Sequence, residues 1–93
     1  MVLHDTELVV QFEKYSSNNK PCITLYEKET GEPYTVATVN VPGLEDNEVA
    51  IKDYSENEGV MQALFMAGYI SEPLRMQSSG FVSIPICKLL KTE

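Results

Sequence analysis

Tyr54-Ser-Glu-Asn-Glu-Gly-Val-Met-Gln-Ala-Leu-Phe-Met-Ala-Gly-Tyr-Ile70 is the stretch that decides the fold class. At about 100° per residue, Val60, Ala63, Leu64 and Ala67 fall on one side of a helix, which is the pattern of a face laid against a core. Ser55-Glu-Asn-Glu58 fits the S-x-x-E capping box, in which the serine hydroxyl and the glutamate carboxylate satisfy each other's backbone N–H groups. Gly68 suits the left-handed residue that closes a helix. The spacing therefore predicts one helix over residues 56–67.

The residues on both sides of this helix read as β-structure. In residues 7–15, Leu8, Val10 and Phe12 alternate with Glu7, Gln11 and Glu13, the signature of a half-buried strand interrupted only by Val9. Residues 22–27 and 34–41 are rich in β-formers and are separated by turn clusters at 16–21 and 29–33, so the three segments predict an antiparallel meander. Pro42-Gly43 stops it. Residues 49–53 read as a further short strand, and residues 71–80 as irregular chain or a weak edge strand broken by Pro73. Residues 81–90 form the last strand, with Val82, Ile84 and Ile86 on one face; Pro85 cannot donate to a ladder and points to an edge or a bulge. The expected architecture is one α+β domain over residues 1–93: an antiparallel sheet of four to five strands with one helix packed on one face.

Fourteen Asp and Glu against seven Lys and Arg give a net charge of −7. That field repels phosphate backbones and anionic lipid, so direct nucleic-acid and membrane binding are disfavoured and a basic protein surface is favoured. The start of the chain lacks the basic-then-apolar pattern of a signal peptide, and no apolar run is long enough to span a bilayer. Cys22 and Cys87 show no CxxC spacing and read as reduced thiols in strands, which together with the rest predicts a cytoplasmic protein. No Walker loop, dinucleotide fingerprint or zinc spacing occurs, so no cofactor and no metal is expected. His4 is the one histidine and falls in a terminal segment expected to be frayed, which leaves no nucleophile–base pair and no catalytic residues to name.

Two groups of residues remain as candidate contacts. Glu58, Gln62, Phe65 and, if the turn continues, Tyr69 lie opposite the core-facing side of the helix, with Met66 and Met61 on the flanks. An aromatic pair there needs a cover. Residues 71–80 folding back over Phe65 supply one, and a bound partner supplies another. The second group is acidic: Glu45, Asp46, Glu48, Asp53 and Glu56, clustered ahead of the helix, where they solvate a loop or steer a basic partner.

The run from Ile51 to Ile70, followed by Gly80-Phe-Val-Ser-Ile-Pro-Ile-Cys-Lys-Leu89, resembles small proteins of unknown function encoded by phages, plasmids and conjugative elements of Gram-positive bacteria. The matching elements are Asn57-Glu58-Gly59, Ala67-Gly68 and Gly80-Phe81-Val82. The resemblance covers about the C-terminal half and carries no functional residues. It implies a setting, that of a mobile-element protein acting on something of the host. The expected function is a non-catalytic accessory protein that binds another protein, such as a host or defence factor. A self-associating homodimer is the alternative, ahead of a small-ligand binder or an enzyme.

Overall fold

Ala37 is the residue on which the architecture turns. The computed structural model, which describes residues 1–92, divides the expected third strand there. Pro33–Val36 (β4) pairs with Pro21–Glu27 (β3), whereas Thr38–Val39 (β5) pairs with Glu48–Ile51 (β6). The Ala37 N–H donates to the Ile23 carbonyl at 2.8 Å, and its own carbonyl accepts from the Lys52 N–H at 2.8 Å. One fully buried residue thus hands the chain from one sheet to another, the way sandwich corners are made.

The expected single sheet is therefore two antiparallel four-stranded sheets. The first has the order β1-β2-β3-β4, with β1 at Val2–Leu3 and β2 at Thr6–Lys14; the second has the order β5-β6-β8-β7, with β7 at Arg75–Ser79 and β8 at Val82–Lys88. Among the described residues the chain is mostly β with one α-helix.

The β2–β3 ladder runs from Leu8↔Glu27 to Lys14↔Pro21, which sets Val10 opposite Leu25 and Phe12 opposite Ile23 on the inner face. Ile23 and Leu25 join Leu8, Val49, Ile51, Ile70 and Cys87 in the main core between the sheets. The other face of the second sheet carries a smaller cluster, in which Ala50, Ile84 and Ile86 meet Val41, and Leu44 and Tyr54 pack against them. The Pro42-Gly43 turn lies over that face, and its Pro42 carbonyl accepts from Gln77 Nε2 at 3.3 Å.

Strand β8 is buried on both faces and is central rather than an edge. Pro85 is accommodated because the β6 ladder ends at Ala50↔Ile86, one residue before it. Residues 75–79, expected to be irregular or a weak edge strand, form a regular edge strand paired with β8 along its whole length.

The helix is shorter than expected and starts differently. Ser55–Asn57 form a 3₁₀ turn and α1 spans Val60–Met66. Ser55 has φ 56 and makes no side-chain cap, so the capping box does not form. The Asp53 carboxylate caps the helix instead, with Oδ1 accepting from the N–H groups of Gly59 and Met61, both at 3.0 Å. At the far end Gly68, with φ 83, closes the helix as expected. Its N–H donates to Phe65 and the Tyr69 N–H to Leu64, both at 3.0 Å, which is the Schellman pattern. Val60 and Leu64 are fully buried, but they enter the core beside Leu3 of β1. The helix meets the margin of the core there and does not lie flat across a sheet face.

Candidate functional site

Helix α1 and the chain that follows it form the centre of the expected contact surface. Met61, Gln62 and Phe65 line a shallow recess of about 290 Å³ whose other wall is Ser71, Glu72 and Pro73. The start of the 71–80 segment therefore flanks Phe65 without closing over it, and the residue stays 38% exposed. Met66 is 73% exposed beside it, and Gln62 and Glu58 are also exposed.

Tyr69 does not belong to this surface. The left-handed turn at Gly68 swings it away from Phe65 and against Phe12, ring centroids 5.6 Å apart, and Lys91 Nζ lies 4.7 Å from its ring centroid. Extending the helical period past Gly68 is what placed it wrongly.

The acidic residues are largely engaged within the fold. Asp46 pairs with Lys20 at 3.0 Å, Glu56 with Lys52 at 2.6 Å, and Asp53 caps α1. Glu48 is buried; its two oxygens accept from Arg75 Nη1 and Nη2 at 2.8 and 2.9 Å, and Oε1 also accepts from the Glu45 N–H. Glu45 itself is exposed.

The Arg75 guanidinium, helped by the Glu45 N–H, holds the Glu48 carboxyl down to about 2 from an ordinary 4.5. A depressed carboxylate contributes its full stabilisation above about pH 4.5 and loses it as the pH falls towards 2. Unfolding in that window takes up protons, and Glu48→Gln is expected to remove up to about one proton of the uptake. The slope of Tm against pH reads this directly. An unchanged acid limb in the variant would mean that the pair does not persist in solution.

The histidine and both cysteines are built into the fold. His4 sits in an ordered hairpin turn, with His4 at φ 49 and Asp5 at φ 62 as a type I′ turn requires, and its Nε2 donates to the Glu58 carbonyl at 2.7 Å. The terminus expected to be frayed is the first strand pair of the sheet. Cys22 and Cys87 are free and buried, and burial pushes the Cys87 thiol up to about 11, away from the reactive thiolate. Tyr15 is raised to about 12, chiefly by burial, although its hydroxyl shares a 2.8 Å hydrogen bond with Thr38.

Among the described residues no group of three or more His, Cys, Asp and Glu side chains could hold a metal ion. No helix there is long and apolar enough to cross a membrane. A second recess, about 680 Å³, is open and lined by Lys14, Asn18, Lys20, Asp46 and Lys91, but Lys20 is paired with Asp46 and Lys91 lies over Tyr69.

Sequence reasoning missed one exposed apolar region. Leu74 and Met76 are more than half exposed, and Phe81 is fully exposed in the β7–β8 turn. The signal was present in Gly80-Phe81. A glycine at φ 61 followed by an aromatic residue fits the two central positions of a type II′ hairpin turn, which projects the ring outward instead of starting a strand. No protein-family model matches the chain, and comparison with curated proteins and with solved structures finds no match.

Proposed function

We propose that this chain is a non-catalytic accessory protein of a phage or mobile element, acting in a bacterial cytoplasm, that binds another protein through the Phe65–Met66 end of α1. The observation that carries this reading is the recess beside Phe65, which leaves an aromatic ring and a methionine presented together to solvent. An apolar anchor from a partner would gain contact with Phe65, Met61 and Pro73 there, and adaptable thioethers suit such a surface. The polar rim would come from Gln62, Glu58 and Glu72, all exposed. With a net charge of −7, a basic partner rim would be drawn in, so added salt should slow association.

The test is a paired one. Phe65→Ala should change stability by less than about 1 kcal/mol, because the side chain is already partly solvated, while reducing capture of the partner at least about tenfold. Thermal unfolding gives the first quantity, and retention of host protein by immobilised wild type and variant gives the second. Equal retention by both would remove the reading, and so would a collapse of Tm, which would make Phe65 a core residue.

A further inference from the structure

We propose that a second copy of this chain docks antiparallel on the free edge of β7, joining the two β5-β6-β8-β7 sheets into one continuous sheet across a two-fold axis. Sheet edges are normally blunted by brevity, proline, charge or a bulge. The other edges here are blunted: β1 and β5 are two residues long, β4 is four residues that open on Pro33, and the part of β2 that runs on past β1 ends in the charged pair Glu13-Lys14. Strand β7 is five residues in unbroken register with β8 from Arg75↔Ile86 to Ser79↔Val82, and it contains no proline and no lysine.

The pairing pattern states which backbone groups are free. Ser79↔Val82 closes a two-residue turn, and a closing pair exchanges both of its hydrogen bonds. Alternation then turns the N–H and C=O groups of Gln77 towards β8 and those of Met76 and Ser78 outward. The Leu74 N–H is turned inward to the Ile86 carbonyl at 2.7 Å, so the free groups end there.

Only one symmetric antiparallel register uses both free residues of both copies. It sets Met76 opposite Ser78 of the other copy and Gln77 opposite its own equivalent, and it forms about four backbone hydrogen bonds. The same register carries each fully exposed Phe81 alongside Leu74 of the other copy, which covers the apolar residues that the isolated chain leaves in water.

Charge selects a second copy as the occupant. Across residues 73–84 the only charged side chain is Arg75, and Glu48 neutralises it. Two chains of −7 repel each other over most of their surfaces but not along this edge. A basic partner of the kind suited to the Phe65 surface finds no carboxylate along it to pair with. The edge pairing goes beyond the Phe65 reading, and the dimer would present two such surfaces at once.

Sedimentation velocity over about 10 to 500 µM, the range in which small interfaces associate, should show reversible monomer–dimer exchange. Ser78→Pro removes an outward N–H that makes no bond within the chain, and it should leave a monomer with Tm nearly unchanged; Ser78→Ala should still dimerise. Gln77→Cys reports the register without depending on a proline, since the facing residues of a non-hydrogen-bonded pair lie close enough to form a disulfide. Oxidation should cross-link Gln77→Cys to itself, and Met76→Cys far less. A wild type that stays monomeric over the whole range overturns the proposal, as does a dimer that survives Ser78→Pro or fails to cross-link at position 77. Any of those results leaves the Phe65 surface standing, because capture by an immobilised monomer is read separately.

Discussion

Leu64→Ala is expected to lower Tm by more than about 10 °C, while Phe65→Ala, one residue along, lowers it by a few degrees at most. Leu64 is fully buried and touches the cluster that contains Leu3, Ile70 and Ile51. Removing its branched end forfeits the transfer energy of the lost carbons and leaves a cavity, about 3 kcal/mol together. A domain of this size has roughly 5–14 kcal/mol in all, and each kcal/mol moves Tm by about 4–8 °C. The site cannot relax freely. The helix is pinned at its start by Asp53, which accepts from Gly59 and Met61, and at its end by the Gly68 closure. Circular dichroism melts of the two variants decide the matter. A loss below about 3 °C for Leu64→Ala would mean that α1 is not docked in solution, and the recess beside Phe65 would lose its wall.

The contrast between Leu64 and Phe65 was readable from helical spacing, because a period of 3.6 separates adjacent residues by about 100°. The same is true of β2, whose alternation places Leu8 inside and Glu7 outside, and of Gly68, whose positive φ ends the helix. These features depend only on neighbours in the chain. What was not readable depends on partners far along it. The strand at 34–41 looks continuous, and its division at Ala37 comes from two backbone bonds, one to β3 and one to the segment after β6. The helix start was misread for a similar reason. Ser55 and Glu58 have the right spacing for a capping box, but the buried Asn57 between them bonds to β4, which winds the first turn as 3₁₀ and leaves capping to Asp53. Acidic clustering was likewise local information. It located Asp46, Glu48, Asp53 and Glu56, while the cations and N–H groups that occupy them were set by the tertiary fold.

Asn57→Ala is the second change expected to be large, at about 2–3 kcal/mol. The Asn57 side chain is fully buried, with Oδ1 accepting from Thr35 Oγ1 at 2.8 Å and Nδ2 donating to the Val36 carbonyl at 2.9 Å. Those two bonds tie the turn before α1 to the edge strand β4, and alanine leaves both partners short while opening a small void. Asn57→Asp separates the polar contribution from the packing. It preserves volume and the acceptor for Thr35, but it sets a carboxylate oxygen against the Val36 carbonyl. Burial and that carbonyl both disfavour the charged form, so the new group's pKa is raised in the folded state. A raised acid destabilises above its unfolded value and is relieved as the pH falls. Asn57→Asp should therefore be at least as damaging as Asn57→Ala near pH 7 and should recover relative to wild type towards about pH 4.5, above the window in which Glu48 is lost. Urea titrations of wild type and both variants at the two pH values measure the difference. Parallel behaviour of Asn57→Asp and wild type across that range would show that residue 57 is solvated, and the link between β4 and the helix would have to be sought elsewhere.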